Sequence, residues 1–340
     1  MRVLVAMSGG VDSSVAAAIL LEQGHEVVGV TMKLWGGASD SGCCSVADVD
    51  DARRVAQQLG IDYWVFAFTD DFDAHVVEPY VAAHAAGRTP NPCIECNRRL
   101  KFDRLLRRAD QLGFDAVATG HHARVVASPD GRLGLRRGAD RAKDQSYVLY
   151  VLGRAELSRC RFPVGQLTKA EVRGRAAALG LRTADKPDSQ DVCFVLATGG
   201  RRAFLEPRIG IHPGRLVDTA GREVGRVDAV ELVTVGQRRG LGSAGGPRRY
   251  ALAVDTAGAT VTVGSLDDLF VDRVRLSGLS WVDSPVTGPV LAQSSAHGAA
   301  VPAIFDGEHV RFAARQRAVA PGQSVVLYDD DDVLGGGIAV

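Results

Sequence analysis

Hydrophobic residues in the N-terminal part of the chain come in short continuous runs. Val3-Leu4-Val5-Ala6-Met7 is the first, and Glu26 to Leu34, with Val27, Val28, Val30 and Met32, is the second. Tyr63-Trp64-Val65-Phe66-Ala67-Phe68 and Asp115-Ala116-Val117-Ala118-Thr119 follow. Unbroken runs of this length predict strands buried on both faces. Between them, apolar positions recur at helical spacing. Val15, Ala16, Ile19 and Leu20 predict a helix stopped by Gly24, and Val46 to Leu59 a second. The second carries acidic residues early and Arg53 and Arg54 later, as a helix macrodipole prefers. A helical region runs to about Ala86, a Pro90/Pro92 loop covers Gly87 to Cys93, and Glu95 to Leu112 reads as a basic amphipathic helix. Strands alternating with helices predict a doubly wound parallel sheet. Ligands of such sheets lie beyond the strand carboxyl ends, where the Ser8 loop, Met32 and Gly120 all fall.

Helical character continues at Tyr147–Leu152 and Lys169–Leu179. From about Gly214 the texture changes to β-branched runs between glycine turns: Leu232–Val235, Tyr250–Val254, Thr260–Val263, Val274–Leu276, Val301–Phe305, Val310–Ala313 and Val325–Tyr328. These predict antiparallel β structure. The expected fold is therefore an α/β domain with a doubly wound parallel sheet over residues 1–210. A small β-rich linking domain (211–270) and a C-terminal β-barrel (271–340) follow, with the second break near Asp268–Asp272. Asp329-Asp330-Asp331-Asp332 reads as a solvated hairpin turn.

Composition adds bounds. A chain of 340 residues, 46% hydrophobic, has the length of two or three globular domains. No apolar run approaches the ~20 residues needed to span a bilayer. Met1-Arg2 leads straight into the first strand without a signal peptide, so the expected location is the cytoplasm, away from membranes. Forty basic and forty acidic residues cancel, so no global field points to a polyanion. Local charge does: seven Arg/Lys lie between Arg88 and Arg108, and five more between Arg132 and Lys143. Two such clusters suit a polyanion touching one face, and solvated helix faces explain either one alone as well. Only five of the forty basic residues are lysine, which reads as coding bias. Six cysteines without paired C-x-x-C sets are expected as thiols, not as a disulfide scaffold or a four-ligand zinc site.

The chemistry centres on Ser8-Gly9-Gly10-Val11-Asp12-Ser13-Ser14, a tight turn between the first strand and the first helix. Backbone N–H groups and the positive end of a helix dipole converge there, as a phosphate requires. Gly9 and Gly10 permit close approach, and Ser8, Ser13 and Ser14 add hydroxyl donors. Asp12 suits such a cradle if it holds Mg²⁺ riding on the phosphates. The Gly-Lys-Ser/Thr of a Walker loop is absent. An ordinary small-residue βα turn is the alternative. The full S-G-G-V-D-S-S in its strand–helix setting resembles the pyrophosphatase loop of enzymes that split ATP into AMP and pyrophosphate to adenylate a substrate.

Cysteine placement points to what is activated. Cys160 reads as buried filler. Cys96 sits where a Pro-fixed loop enters a helix beside Arg98, Arg99 and Lys101, which predicts a lowered pKa and a thiolate. Cys193 lies in the polar stretch Asp185–Phe194, predicted to be exposed and open to accepting sulfur. Two reactive thiols and an adenylating ATP loop together suggest sulfur transfer.

The motifs N-P-C-I-E-C-N-R-R-L-K-F (91–102), G-H-H-A-R (120–124), K-D-Q-S-Y (143–147), D-S-Q-D-V-C-F (188–194), G-Q-R-R-G-L-G (236–242) and A-P-G-Q (320–323) run in order along nearly the whole chain. In this order they resemble the tRNA-specific 2-thiouridylases, the MnmA family. The resemblance implies an adenine-nucleotide α-hydrolase-like fold and ATP-dependent conversion of the wobble uridine of Lys-, Glu- and Gln-type tRNAs to 2-thiouridine. It implies Cys193 as the persulfide carrier and Cys96 as the second catalytic cysteine. ATP contacts are expected at Ala6, Met7, Ser8, Gly9, Gly10, Val11, Asp12, Ser13, Met32 and Gly120, with Asp12 reaching the ATP-bound Mg²⁺. Contacts to tRNA are expected at His121, Lys143, Asp144, Gln145 and Gln323. The expected partners are the anticodon stem-loop, held by the barrel and the basic clusters, and a sulfur-donor protein, either a cysteine desulfurase or a relay protein. Uracil carbon 2 is attacked once its oxygen is adenylated, and Cys96 resolves the persulfide as a Cys96–Cys193 disulfide.

Two departures from the family pattern stand out. Some members carry Asp where this chain has Cys93, as a proposed general acid/base. Here Cys93, Cys96 and Cys193 form a three-thiol set that could bind a 4Fe–4S cluster with one open iron, or else Cys93 is a variant without a role. A barrel segment that often carries Arg reads Ser294-Ser295-Ala296-His297. Two other functions compete with this one. An amidating synthetase needs an ammonia source or glutaminase domain, and none is visible. A non-catalytic RNA-binding or redox-sensing protein would not need the intact Ser8–Ser14 loop and both cysteines.

Overall fold

In a computed structural model of the chain, residues 1–35, 45–188, 192–241 and 248–340 are described. Cys43 and Cys44, the Ser189-Gln190-Asp191 part of the motif before Cys193, and Gly242 lie outside the described residues. The N-terminal apolar run forms β1 (Arg2–Ala6), followed by α1 (Val11–Glu22), β2 (Glu26–Lys33), α2 (Val46–Leu59) and β3 (Asp62–Ala67). After a long helical stretch comes β4 (Ala116–Thr119). These strands pair in parallel in the order β3-β2-β1-β4, with the short strand Cys160–Arg161 outside β4. Val3, Val5 and Met7 face one core with Val15, Ile19 and Val55, while Leu4 and Ala6 face a second with Phe102, Leu105 and Phe114. Burial on both faces is why the strands read as continuous hydrophobic runs. The chain winds outward from β1 through β2 to β3 and then returns to β4 on the far side of β1. The crevice at the carboxyl ends of β1 and β4 is thus the switch point where open α/β sheets bind ligands.

The segment carrying Cys93 and Cys96 differs from expectation. Asn91 Oδ1 accepts from Cys93 N–H at 3.0 Å and caps a helix that starts at Pro92. Proline suits this position, because the first helical N–H has no intrahelical partner. The helix continues as a π-helix over Cys96–Arg104 and returns to α geometry at Leu105–Gln111. Cys93 is therefore in the first turn and not in the preceding loop, and Cys96 lies a turn inside. The π-helical stretch has no periodicity signal in the sequence.

The middle sheet has strands Tyr250–Asp255, Thr260–Gly264, Gly214–Val217 and Glu223–Val227 in that spatial order. Leu232–Val235 is not a strand. Val230–Leu232 is a 3₁₀ turn, with Val230 and Val233 buried in the small core and Arg201 donating to Leu232 O at 2.6 Å. Its β-branched residues serve packing, not a ladder.

Six strands close the C-terminal barrel: Phe270–Trp281, His309–Arg317, Val301–Phe305, Gly288–Gln293, Ser324–Asp329 and Asp332–Ala339. Closure pairs Leu276 with Ala339 and Trp281 with Gly335. The barrel sheet does not stop there. The hairpin Ala123–Ala127/Leu133–Arg137 of the N-terminal region joins it, with Leu135 opposite Val333 and Arg136 opposite Asp332. Arg136 holds Asp332 bidentately at 2.7 Å, and Arg124 and Arg141 both reach Asp331. The acidic hairpin turn is therefore a latch for arginines and not merely solvated. The basic cluster Arg132–Lys143 is largely consumed inside the protein: Arg132 meets Asp130 and Asp283, Arg137 meets Asp144, and Lys143 meets Asp188.

Candidate active site

The Ser8–Asp12 turn leaves β1 at the switch point, with Gly10 as the extended N-cap of α1. Gly9 has φ +72°, and a Cβ there would lie 2.4 Å from Asp48 O of α2. Gly120, where the chain leaves β4, abuts the same turn: a Cβ would lie 2.6 Å from Ser13 N and 2.7 Å from Asp12 C. Gly120→Ala is therefore expected to cost ~1–3 kcal/mol of stability through overpacking. ATP affinity should fall about tenfold, the equivalent of 1.4 kcal/mol. Thermal denaturation and ATP titration read the two effects, and unchanged affinity would show that the two loops need not touch. Ser14 is fully buried and donates to Gly10 O at 2.8 Å, and Ser13 donates to the same oxygen at 3.2 Å. Those hydroxyls hold the turn, contrary to the expectation of two more ligand donors. Ser8 remains exposed. Ala6, Met7, Val11 and Met32 are buried around the turn.

Asp12 is the first member of a chain of charges. Lys169 Nζ donates to both of its carboxylate oxygens, at 2.8 and 2.7 Å, and His122 Nε2 lies 3.2 Å from Oδ1. Burial works to raise the Asp12 pKa, but the hydrogen bonds from His122 and Lys169 outweigh it and hold the carboxyl below its ordinary value. Lys169 also reaches Asp188 at 2.9 Å, and Asp188 takes Lys143 at 2.7 Å and Arg173 at 2.8 Å. Asp188 is likewise held low, burial being overcome by its hydrogen bonds from Lys143 and Lys169. Beside the turn, Lys186 bridges Asp48 and Asp51, both at 2.7 Å. Lys169 donates to both Asp12 oxygens and His122 lies on Oδ1 alone, so Oδ2 keeps a further lone pair of the kind a Mg²⁺ ligand uses.

The residues expected at tRNA also make hydrogen bonds within the protein around this site. Gln145 Oε1 accepts from His122 N–H at 2.9 Å, and Gln145 N–H donates back to His122 O. Asp144, with its side chain 6% exposed, accepts from Gly138 N–H, Ser146 and Arg137. His121 is buried against Phe102 and Phe162 with Nδ1 2.7 Å from Thr119 Oγ1, and burial holds its imidazole neutral. Gln323 donates to Thr89 O, and Thr89 N–H donates to Pro321 O at 2.8 Å. The barrel thereby grips the loop that leads to Cys93.

Cys93, Cys96 and Cys193 are half-buried, and Cys160 is fully buried. Cys193 opens the helix Cys193–Ala197 after Val192, which has φ +52°. Phe194 plugs into Phe204, Phe72, Tyr80 and Trp35, with ring centroids 4.9 to 6.1 Å away. Cys193 is thus anchored by an aromatic box rather than carried on an exposed loop. The expected Cys96 thiolate is also corrected: burial pushes its thiol up to about 12, and only Lys101 opposes this. The thiols of Cys93 and Cys193 add to the resistance. Among the described residues no group of three Cys, His, Asp or Glu side chains is gathered around a single metal ion, while Cys93 and Cys193 are near enough to Cys96 to act on its ionisation.

Lys169, His122, Asp188 and Asp140, which accepts from Lys169 N–H at 2.9 Å, were not singled out by sequence reasoning. One signal for them existed. The chain has five lysines among forty basic residues, and Lys143, Lys169 and Lys186 all lie on carboxylates of this site.

The architecture and its motifs match known families along the chain. The family model for a tRNA methyl transferase HUP domain matches residues 1–197, that for a tRNA methyl transferase PRC-barrel domain 202–265, and that for an aminomethyltransferase beta-barrel domain 272–339. A tRNA-specific 2-thiouridylase MnmA of Chloroflexus aurantiacus is 49% identical over 350 residues, covering 99% of this chain and 97% of that protein. The protein of that name from a Roseiflexus species is 47% identical over 369 residues, covering 99% and 98%. Its counterpart from Acidothermus cellulolyticus is 48% identical over 350 residues, covering 98% and 96%. Identity near one half over nearly the whole chain, with a family model over residues 1–197, means that the chain belongs to the tRNA-specific 2-thiouridylase (MnmA) family.

Proposed function

We propose that the protein catalyses ATP-dependent 2-thiolation of the wobble uridine of tRNA, as a tRNA-uridine 2-sulfurtransferase. The observation that carries this reading is the charge chain Asp12–Lys169–Asp188. It ties the nucleotide turn to the segment that leads, five residues on, into Cys193.

In this reading the uracil carbon-2 oxygen attacks the α-phosphorus of ATP and pyrophosphate leaves. Lys169 neutralises the charge that develops on the phosphates. The terminal sulfur of a Cys193 persulfide then attacks carbon 2, and AMP departs with the former carbonyl oxygen. Cys96 thiolate attacks the Cys193 sulfur, freeing the 2-thiouridine sulfur and leaving a Cys96–Cys193 disulfide. A thiol reductant restores both cysteines, and a cysteine desulfurase or relay protein reloads Cys193. The anticodon stem-loop of Lys-, Glu- or Gln-type tRNAs approaches over Lys143 and Gln323, which exchange their present bonds to Asp188 and Thr89 for RNA contacts. The target base leaves its stack to reach the crevice. Among the described residues no helix is long and apolar enough to cross a membrane, and we place the enzyme in the cytoplasm.

The test follows ATP. With substrate tRNA and a persulfide donor, labelled ATP should yield AMP and pyrophosphate in step with 2-thiouridine. Release of ADP and phosphate would overturn the assignment.

A further inference from the structure

A buried Cys96 thiol raised to about 12 is a poor nucleophile at neutral pH, yet Cys96 is the residue that must attack the Cys193 sulfur. The sequence supplies three cations beside it, but two are turned elsewhere. Arg98 donates to Ser280 Oγ at 2.9 Å and lies 3.7 Å from Glu95. Arg99 lies 3.7 Å from the other Glu95 oxygen. Lys101 is half-buried, and its ammonium has no hydrogen bond or acidic partner among the described residues. Lysines 143, 169 and 186 all have such partners.

The backbone explains why Lys101 serves Cys96. In an α-helix, residues four apart share a face and residues five apart do not. Over Cys96–Arg104 the helix is of the π type, and at its end Leu105 N–H donates to Leu100 O, five residues back. With i→i+5 bonding, position 101 falls on the same face of the helix as position 96.

We propose that Lys101 is the positioning cation of the sulfur-transfer step, brought to the helix face of Cys96 by the π-helical turn to stabilise the Cys96 thiolate that attacks Cys193. The inference rests on the sulfur-transfer reading above. The ionisation of Cys96 is set by Lys101 in its favour, and by burial and the neighbouring Cys93 and Cys193 thiols against it. The same ammonium bears on His121 across the crevice, disfavouring an imidazolium there, so positive charge at this spot is reserved for the lysine.

The experiment uses the full chain without tRNA or ATP. Iodoacetamide alkylation is followed from pH 7 to 10 and read separately at Cys96 and Cys193 from peptide fragment masses. Lys101→Met should slow alkylation of Cys96 about tenfold at pH 8, as a tenfold smaller thiolate fraction requires. Cys193 should change less than about twofold, because position 101 shares a helix face with position 96 and not with it. Lys101→Arg should recover most of the rate, which a merely structural role of the lysine stem would not predict. Wild-type Cys96 reactivity in Lys101→Met, or equal slowing at Cys193, would overturn the proposal. If Lys101→Met does not fold, Lys101→Arg and Lys101→Gln decide it: equal Cys96 rates in the two would refute a role for the charge. A Lys101→Met chain that alkylates normally but fails to thiolate tRNA would remove this role and leave the sulfur-transfer reading standing.

Discussion

Cys193→Ser should abolish 2-thiouridine formation, with a loss of order 10³-fold or more, as when a nucleophile is removed. It should also fail to accept labelled persulfide. Cys96→Ser should lose thiolation as completely but for a different reason, and the difference is visible. Its Cys193 persulfide still attacks the adenylated carbon 2, AMP still departs, and nothing then breaks the bond between the two sulfurs. The tRNA should accumulate covalently attached to Cys193, running as a protein–RNA adduct on a denaturing gel and released by dithiothreitol. Turnover by Cys96→Ser without an adduct would remove Cys96 from the resolving role. Cys93→Ala serves as the control for an iron–sulfur route. It should keep its activity in air, because the persulfide scheme gives the thiol at position 93 no step to perform. Activity lost together with an iron-dependent visible absorbance would replace the persulfide scheme.

Lys169→Met should reduce AMP formation by about 10²–10³-fold, the usual effect of removing one preorganised stabilising group. Its side chain is 12% exposed and its ammonium is bonded to Asp12 and Asp188 together, beside the turn proposed to take the phosphates of ATP. Without it, two carboxylates face each other beside an incoming polyanion, and both effects oppose ATP. Lys169→Arg should not restore the rate, because a planar guanidinium cannot bridge both carboxylates with the compact geometry of an ammonium. Rapid-quench measurement of AMP before the sulfur step isolates this effect. Retention of AMP formation within about threefold would take Lys169 out of the reaction.

The sequence made the parallel sheet legible because its signals are local: an apolar run, a glycine turn and a helical repeat within about twenty residues. Four of the six barrel strands were legible for the same reason, whereas Gly288–Gln293 and the glycine-rich Asp332–Ala339 lack β-branched runs, and Leu232–Val235 misleads because β-branched residues also fill small cores. The charge chain was hidden by distance. Asp12 and Lys169 are 157 positions apart, and neither has a local feature that marks the other. Cys96 shows the opposite failure. Its neighbours in sequence argued for a thiolate, but Glu95 and Ser280 take two of those cations and long-range packing supplies the burial that prevails. The π turn that singles out Lys101 leaves no trace in residue spacing. The pairing of the basic cluster from Arg132 to Lys143 was hidden for a related reason, since the acids that meet Arg136 and Arg141 lie almost two hundred positions away.

The hairpin that extends the barrel sheet imposes a schedule on the making of this protein. Arg136 and its partner Asp332 are separated by 196 positions. At ~5–20 residues per second, synthesis of that interval takes about 10–40 s. For that time the Leu133–Arg137 strand has emerged with one edge unpaired, while the strand that completes it does not yet exist. Exposed edges invite pairing with other chains. The arginines that later latch onto Asp331 and Asp332 serve the nascent chain as well, because a row of like charges on an open edge keeps two such hairpins apart. The same charges that lock the finished fold therefore guard it while it is incomplete.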